Sequence, residues 1–319
     1  MSARVELQHI YKTYFRHKWL LGKGERVPVL KDVSLIIPQD RVVGLVGESG
    51  CGKSTLCKVL LGIEKPTAGT VLVNGQDVSR LNSVGRKNLC RQMQVVYQDP
   101  YSSLDPRMTV RQILAEPLDI HRLHTDPKKR EQFLKELLTS VGLAASYLDR
   151  YPHEFSGGQR QRICIARALA LDPQILVADE PVSALDVSVQ AQILNLLSDI
   201  KRTRQLSVLF VTHDLAVARF LCDDIAVMYQ GRIVEQAPAQ ELLDRPLHPY
   251  TKLLLAAVPQ VGKPVAEAVM AGKQNNNVTG CPFAPRCPQA SDACRQDVPD
   301  LQEQTSAHYV ACVQLSKEK

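Results

Sequence analysis

Long apolar runs are missing from this sequence, since no stretch reaches the roughly 18 apolar residues that a membrane-spanning helix needs. The first residues, Met1 to Glu6, also lack the apolar segment that a secretory signal carries. We therefore expect a chain that is neither exported nor membrane-spanning by itself.

A strong charge imbalance is missing as well, because 39 Lys and Arg residues face 33 Asp and Glu residues, for a net charge of +6. The basic residues form short clusters, such as Lys128–Arg130 and Lys201–Arg204. Such clusters are typical of solvated helix faces, and a phosphate-rich partner, lipid or nucleic acid, is the alternative. Charge alone therefore selects no class of function.

Size and composition favour one main domain with a small appendage. With 319 residues, 45% of them hydrophobic, the chain can bury one large α/β core. Its nine cysteines are unevenly spread. Five of them lie in segments with core or motif character: Cys51, Cys57, Cys90, Cys164 and Cys222. The other four crowd into the C-terminal part of the sequence, which requires a separate explanation.

Alternation and apolar runs predict strands at 4–10, 33–37, 70–73 and 93–97, with a loop from Leu20 to Pro28. Ile225–Tyr229 and Arg232–Glu235 flank Gln230-Gly231 and predict a hairpin. From Asp99 to Pro152, prolines separate stretches with helical periodicity. This pattern predicts a helical insert in an α/β protein.

One glycine-rich stretch fits the phosphate-loop pattern G-x-x-x-x-G-K-[ST] at every fixed position. It consists of Gly47, Glu48, Ser49, Gly50, Cys51, Gly52, Lys53, Ser54 and Thr55. A predicted buried strand precedes it and a predicted helix follows, so the backbone N–H groups and the helix dipole are expected to form a polyphosphate site. Lys53 would reach the β- and γ-phosphates and Ser54 would ligate Mg²⁺. A glycine-rich turn that binds nothing is the alternative, which the strand, the helix and Lys-Ser-Thr disfavour.

Two carboxylates follow the apolar run Ile175–Ala178, and a histidine follows Val208–Thr212. Asp179 suits the outer shell of Mg²⁺, whereas Glu180 can polarise the water that attacks a γ-phosphate. The alternative is a strand followed by an acidic helix cap. His213 lies where ligands bind open α/β sheets, and we expect it to contact the γ-phosphate, although a lone histidine is more often structural.

Ser156-Gly157-Gly158-Gln159 begins a predicted helix and leaves backbone N–H groups open. A simple helix cap is the alternative, but a cap alone would need neither two glycines nor the glutamine. Tyr14 is equally consistent with an ordinary core or edge aromatic and with a residue that stacks on a purine.

Together with Gln98 and the link Ser183–Asp186, these motifs resemble the nucleotide-binding subunits of ABC transporters, over residues 4 to about 258. The resemblance implies a P-loop NTPase (RecA-like) core, an antiparallel β subdomain and an α-helical subdomain at about 99–157. It also implies that Tyr14 stacks on adenine, that Gln98 joins Mg²⁺ to the membrane-facing helical part, that Asp186 belongs to the nucleotide site, and that His213 is the switch histidine.

A closer likeness is to the dipeptide and oligopeptide importer ATPases of the DppF/OppF type. It is carried by 97–107, 180–190 and His248-Pro249-Tyr250-Thr251. Phe155, where leucine is more usual, and Ala178, where an aliphatic residue is more common, depart from the pattern without touching a polar group.

This likeness implies ATP hydrolysis that drives peptide uptake at the cytoplasmic face of the inner membrane. Each chain has one phosphate loop and one Ser156–Gly158 helix start, so two ATPase chains would complete each other's sites. The implied partners are a second ATPase, which the family resemblance implies to be a paralogue, two membrane permeases and an extracytoplasmic binding protein.

Residues 259–280 are rich in Gly, Ala, Asn and Pro and are predicted to be a linker, followed by a cysteine-rich extension at 281–319. Cys281, Cys287, Cys294 and Cys312 are spaced C-x5-C-x6-C-x17-C. Four thiolates suit zinc or an iron–sulfur cluster, and the first gap is longer than in usual zinc sites. The peptide-importer resemblance favours a [4Fe–4S] cluster; zinc and metal-free structural thiols are the alternatives.

Two rival functions are compatible with the nucleotide motifs alone. An ABC ATPase that handles nucleic acid would be expected to carry long coiled coils or two cassettes, and the sequence has neither. A nickel or other small-solute importer of the same group would use identical catalysis, because the cargo is selected by other subunits. The sequence therefore predicts the ATPase and leaves the cargo open.

Overall fold

The computed structural model describes residues 5–16, 25–257 and 279–315. These residues fall into two compact units. We call one the helical unit (38–40 and 80–211) and the other the phosphate-loop unit (5–37, 41–79 and the described residues from 212 on). The predicted linker, 259–280, lies outside the described residues except for its last two positions.

Within the described residues the strands run as follows: β1 Val5–Arg16, β2 Glu25–Ile37, β3 Val42–Val46, β4 Ala68–Val73, β5 Gln76–Asp77, β6 Met93–Val96, β7 Ile175–Asp179, β8 Ser207–Thr212, β9 Asp224–Tyr229, β10 Arg232–Pro238, β11 Gln302–Thr305 and β12 His308–Val310.

The helices of the same residues are α1 Lys53–Leu60, α2 Ser83–Gln92, α3 Pro100–Ser103, α4 Val110–His121, α5 Pro127–Ser140, α6 Gly157–Leu169, α7 Val187–Arg204, α8 Leu215–Leu221, α9 Ala239–Asp244, α10 Pro249–Ala256 and α11 Ala293–Gln296. None of the helices in these described ranges has both the length and the apolar character that crossing a bilayer requires.

The phosphate-loop unit contains an antiparallel sheet in the order β2-β1-β4-β5. The buried side chains Val5 and Leu7 alternate with more exposed ones along β1, as expected for a strand with one face toward a core. β2 begins at Glu25, so the sequence prediction of a loop up to Pro28 is wrong at its end. Pairing with β1 extends β2 through Pro28, which lies opposite Thr13.

A second set of strands in this unit has the order β11-β12-β10-β9-β3. β3 is buried along its whole length and runs parallel to β9. The predicted hairpin is confirmed as β9 and β10, which join through Gln230 and Gly231 at φ values of 42° and 84°. Two successive positive φ angles match the right-handed twist of the strands they connect.

The helical unit is built on β6, β7 and β8, which are parallel and adjacent in that order. β7 is apolar and buried until its last residue, and β8 is buried throughout. Parallel strands covered on both faces have this continuous apolar character. The predicted helical insert is confirmed as α3, α4 and α5, and it leads to α6.

Candidate nucleotide-binding site

The phosphate loop connects the end of β3 to the start of α1 and depends on glycine at two positions. A Cβ atom on Gly47 would lie 2.2 Å from the carbonyl oxygen of Met228, a distance that no side chain tolerates. Gly52 has a φ of 113°, and its carbonyl accepts the first helical hydrogen bond from the N–H of Leu56 at 3.0 Å. Non-glycine residues rarely adopt this backbone conformation. The predicted strand, loop and helix are therefore present in the order that the motif requires.

Lys53 is directed into this loop and is only 5% exposed. Its ammonium group donates hydrogen bonds to the carbonyl oxygens of Gly47, at 2.7 Å, and Glu48, at 3.1 Å. A buried cation bonded to neutral carbonyls gives the loop a positive potential at the N-terminus of α1. Ser54, in the first turn of that helix, is exposed. This arrangement suits a polyphosphate and a hydroxyl ligand for Mg²⁺.

Cys51 is a buried member of the loop. Burial raises the pKa of its thiol, which makes the thiolate scarce near neutral pH. Its carbonyl accepts a hydrogen bond of 2.8 Å from the N–H of Gly231, in the β9–β10 turn. Cys51 therefore anchors the back of the loop.

Tyr14 lies on β1 and is half-buried. Its hydroxyl donates to Glu64 at 2.5 Å and also interacts with the side chain of Thr55, in the first turn of α1. Burial and the Glu64 carboxylate raise the pKa of the phenol. The ammonium group of Lys12 lies 5.0 Å from the ring centroid. The structure thus brings Tyr14 to the phosphate-loop helix, and base stacking by its ring remains a prediction.

His213 directly follows β8 and is exposed. The next residue, Asp214, caps α8 by accepting a hydrogen bond of 2.7 Å from the N–H of Ala216. The N–H of Asp214 in turn donates to the hydroxyl of Thr212 at 3.0 Å. His213 therefore projects from a fixed turn between a strand and a helix, and its contact with a γ-phosphate remains a prediction.

Asp179 and Glu180 lie at the carboxyl end of β7 in the helical unit, and the backbone of Glu180 is unusual. Its φ is 48°, in the left-handed region that glutamate rarely occupies. The N–H of Glu180 donates to the carbonyl of Val211 at 3.0 Å, and its own carbonyl accepts from the N–H and hydroxyl of Ser183 at 3.2 and 3.0 Å. Strained backbone of this kind is concentrated at functional sites. The backbone of the predicted catalytic residue is therefore held in place from both sides.

Ser156 and Gln159 form a capping box at the start of α6. The hydroxyl of Ser156 accepts from the N–H of Gln159 at 3.3 Å, and the side chain of Gln159 accepts from the N–H of Ser156 at 3.0 Å. Gln159 completes the cap, so the prediction that a cap alone would not need this glutamine is wrong. A nucleotide contact at this helix start remains a prediction.

The two glycines of this helix start differ in what surrounds them. A Cβ atom on Gly158 would lie 2.3 Å from the side chain of Val189 in α7, so packing alone requires glycine there. A Cβ atom on Gly157 would meet only Leu185, at an ordinary 3.5 Å. Packing within the helical unit thus explains Gly158 and leaves Gly157 for another role.

Gln98 and Asp186 are both exposed residues of the helical unit. Gln98 follows β6 and precedes Asp99, whose carboxylate caps α3. Asp186 caps α7, accepting from the hydroxyl of Ser188 at 2.7 Å and the N–H of Val189 at 3.0 Å. These bonds lower the pKa of Asp186. A nucleotide role for either residue remains a prediction, and Asp186 has a structural role as well.

Comparison with known proteins gives two family matches. The family model described as ABC transporter matches residues 30–183, and the one described as oligopeptide/dipeptide transporter, C-terminal region, matches residues 234–294. The oligopeptide transport ATP-binding protein AppF of Bacillus subtilis (strain 168) is 45% identical over 318 residues, covering 97% of this chain and 96% of that protein. The chain belongs to the ABC transporter ATP-binding protein family.

Further relatives and structures agree with that membership. The putative oligopeptide transport ATP-binding protein YkfD of the same organism is 46% identical and covers 91% of each chain. A dimeric post-hydrolysis structure of the ATP-binding cassette MJ0796 with ADP and Pi has a TM-score of 0.65 and 31% identity, and it covers 74% of this chain and 98% of that one. The predicted P-loop NTPase fold is thereby confirmed, and this ABC protein is an ATPase.

The C-terminal extension of this ABC ATPase contains all four predicted metal ligands within the described residues. The N–H of Cys281 donates to the carbonyl of Cys294 at 2.8 Å. Burial raises the pKa of the Cys281 and Cys287 thiols, and the nearby thiols of Cys294 and Cys312 raise it further. Nevertheless, the described part of the chain holds no group of three or more His, Cys, Asp or Glu side chains arranged for a metal ion. The structure does not support the predicted [4Fe–4S] cluster.

Sequence reasoning missed the contact of this extension with the phosphate loop. Arg286 forms an ion pair with Glu48, although 238 positions separate the two residues. Tyr250 also reaches the loop, where its hydroxyl accepts a hydrogen bond of 3.0 Å from the N–H of Glu48. No local pattern marks either contact. The available signals were the position of Arg286 between two of the clustered cysteines and that of Tyr250 in the segment 248–251.

Proposed function

We propose that this ABC ATPase powers the uptake of dipeptides or oligopeptides through a membrane transporter. The observation that carries the proposal is the match of residues 234–294 to the C-terminal region of oligopeptide and dipeptide transporters. Relatives named for oligopeptide transport or peptide import, which align with nearly the whole chain, support it. The matched segment includes α9 and α10, most of β10 and the start of α11, all in the phosphate-loop unit.

MgATP binds at the phosphate loop in this proposal. The N–H groups of the loop and the ammonium group of Lys53 hold the β- and γ-phosphates. The ring of Tyr14 stacks on the adenine. Ser54, Gln98 and Asp179 would hold Mg²⁺, and the hydroxyl, amide and carboxylate oxygens they offer are the donors this ion prefers. When bound, Mg²⁺ neutralises charge that develops on the phosphate oxygens.

Two chains complete each nucleotide site. The start of α6, at Ser156–Gly158, would grip the γ-phosphate held by the phosphate loop of a second chain through the helix dipole and the N–H groups of Gly157 and Gly158. The N–H of Ser156 donates to Gln159 within the capping box. Gly157 supports this proposal, because packing within its own unit does not require glycine there. A bare backbone at that position allows a phosphate to approach the N–H groups closely. Asp186 would belong to the same joint site.

Hydrolysis then requires a base and a sensor of the γ-phosphate. Glu180 accepts the proton of the attacking water, and His213 contacts the γ-phosphate. ATP binding closes the pair of chains and hydrolysis reopens it. The helical subdomain, at about 99–157, passes this movement to the membrane subunits.

The proposed partners are a second ATP-binding chain, a paralogue by resemblance, two permeases and an extracytoplasmic binding protein. The chain would lie peripherally at the cytoplasmic face of the inner membrane. Nucleic acid is not a partner in this proposal. A nickel or other small-solute importer of the same group is the alternative, since it would use the same catalysis.

Reconstitution separates these functions. We expect the ATPase, assembled in liposomes with the permeases, second ATPase and binding protein encoded beside it, to hydrolyse ATP several-fold faster with a mixture of short peptides. Uptake of labelled peptide should require MgATP. Stimulation by Ni²⁺ but not by peptides would favour the alternative importer, and stimulation by DNA or RNA without membrane subunits would contradict transport.

The cysteine extension forms a finer part of the proposal. Cys281, Cys287, Cys294 and Cys312 would hold a [4Fe–4S] cluster, with zinc as the alternative. The support consists of the resemblance and of the four-thiol set itself.

Metal analysis tests this part directly. We expect anaerobically purified protein to contain iron and sulfide with brown absorbance, and the variant Cys287→Ser to lose them. Cys90→Ser, which changes an exposed cysteine outside the extension, is the control. Zinc in place of iron would favour a structural metal, and neither metal would leave four structural thiols.

A further inference from the structure

The segment between Cys281 and Cys287 reaches the phosphate loop through one side chain. The guanidinium of Arg286 donates two parallel hydrogen bonds to the carboxylate of Glu48, Nη1 to Oε2 at 3.0 Å and Nη2 to Oε1 at 3.0 Å. The Arg286 side chain is 4% exposed and that of Glu48 is 19% exposed. A two-bond pair shielded from water is strong and fixes both partners geometrically.

The chemistry of the loop explains why Glu48 needs a cation. Glu48 is the second residue of the loop, directly after Gly47, in a segment whose backbone must receive polyphosphate. An uncompensated carboxylate there would repel the phosphates, and the repulsion is stronger where water is excluded. Arg286 neutralises the charge of the Glu48 carboxylate by pairing with it directly. The ammonium of Lys53 is thereby left for the nucleotide instead of being attracted to Glu48.

Arg286 is itself held rigidly. The centre of its guanidinium lies 5.8 Å from the ring centroid of Tyr229 and 5.8 Å from that of Phe283, whose side chain is 1% exposed. Arg286 ends a short 3₁₀ turn, Ala284–Arg286, and its N–H donates to the carbonyl of Phe283 at 2.9 Å. A cation placed against aromatic rings in a fixed turn loses little freedom when it binds a carboxylate.

The same aromatic group also holds the backbone of Glu48. The hydroxyl of Tyr250 accepts from the N–H of Glu48 at 3.0 Å, and the Tyr250 ring centroid lies 4.6 Å from Tyr229 and 5.4 Å from Phe283. The carbonyl of Glu48 accepts from Lys53. The side chain, N–H and carbonyl of Glu48 are therefore all fixed. Because this carbonyl is one of the two that orient Lys53, the position of Glu48 also determines that of Lys53.

We propose that Arg286 is a positioning residue of the nucleotide site: by pairing with Glu48 it holds the first half of the phosphate loop and the acceptor of Lys53 in the shape that binds MgATP. The inference rests on the proposed binding of MgATP at this loop. It makes the segment from Cys281 to Cys287 a working part of the ATPase, whether or not the cysteines hold a metal.

A charge-pair cycle in the full-length protein tests the inference. We expect Arg286→Gln to raise the Kd and KM for MgATP at least about 10-fold, with a smaller change in kcat, because Glu48 is left unpaired. Arg286→Lys keeps the charge but cannot donate two parallel bonds, so an intermediate rise is expected. Arg286→Gln combined with Glu48→Gln removes both charges and should return the Kd to within about 3-fold of wild type. Arg295→Gln, an exposed arginine of the same extension, is the matched control.

Several results would overturn the inference. One is a Kd in every folded Arg286 variant equal to that of the Arg295→Gln control. Another is an equal loss of affinity in the wild-type and Glu48→Gln backgrounds, since a merely structural arginine would act without regard to the charge of Glu48. If Arg286→Gln does not fold, Arg286→Lys and the double variant carry the test. Wild-type protein that fails to bind MgATP would instead reject the proposed function.

Discussion

Glu180→Gln should bind MgATP with nearly wild-type affinity and lose most of its turnover, roughly 10²–10⁴-fold in kcat. The amide has the shape of the carboxylate but cannot accept a proton from the attacking water. Glutamine also preserves the backbone contacts, because the bonds at Glu180 to Val211 and Ser183 are made by main-chain atoms of residue 180. The change therefore isolates the proton acceptor from the strained turn that presents it.

Phosphate release by the assembled transporter measures turnover, and equilibrium binding measures the affinity for MgATP. The mass of the ATPase chains in solution shows whether they form a pair. A closed pair of chains that accumulates with bound ATP is expected, since binding drives closure and hydrolysis reverses it. Glu136→Gln, on the exposed face of α5, is the control for loss of a glutamate. A kcat within about 3-fold of wild type would remove Glu180 from the role of base.

The sequence predicted the elements around the nucleotide site well because their causes are local. A buried strand must end before a glycine-rich turn. The backbone of the phosphate loop requires glycine at positions 47 and 52, and both glycines belong to the sequence motif. β7 and β8 were recognisable from their continuous apolar residues, as parallel strands buried on both faces usually are. The hairpin at Gln230-Gly231 was likewise a two-residue signal.

The features that the sequence did not predict depend on contacts between residues that are distant along the chain. Gly158 is required by Val189 of another helix, and the sequence argument ascribed both glycines to one cause. The left-handed φ of Glu180 occurs where its N–H bonds to the neighbouring strand, and no propensity of glutamate foretells it. The start of β2 was missed because pairing with β1 overrides the proline and glycine content of that segment.

The contacts of the C-terminal extension were also not predicted, because they join residues even further apart in the sequence. Glu235 has no exposed surface and accepts hydrogen bonds from the N–H groups of Leu247 and His248, and from the ring of His308 at 2.8 Å. Such a buried carboxylate requires hydrogen-bond partners, and here they come from two separate segments, 247–248 and His308. The sequence placed Glu235 at the end of a predicted strand and gave no sign of this burial. Spacing drew attention to the cysteines, whereas Arg286 and Glu235 make the contacts that join the extension to its unit.

Lys53→Met should abolish useful nucleotide binding, with the Kd for MgATP raised about 30-fold or more. Methionine retains most of the apolar stem that fills the buried position but removes the charge and both hydrogen bonds to the loop carbonyls. The helix dipole and the N–H groups of the loop remain, so weak binding of phosphate is expected to persist. The expected loss is one of affinity, so an unchanged kcat at saturating nucleotide would not offset it.

Lys58→Met is the matched control, since Lys58 belongs to the same helix, is 54% exposed and approaches Glu64 only at 4.0 Å. A surface pair of this kind contributes little, so its loss should leave the Kd unchanged. Thermal unfolding of both variants separates binding from folding: Lys53→Met should unfold within a few degrees of the control without nucleotide, and only the control should be stabilised by MgATP. Equal stabilisation of both variants by MgATP would mean that the buried ammonium does not bind the phosphates, and the phosphate loop would then lose the charge on which the proposed chemistry depends.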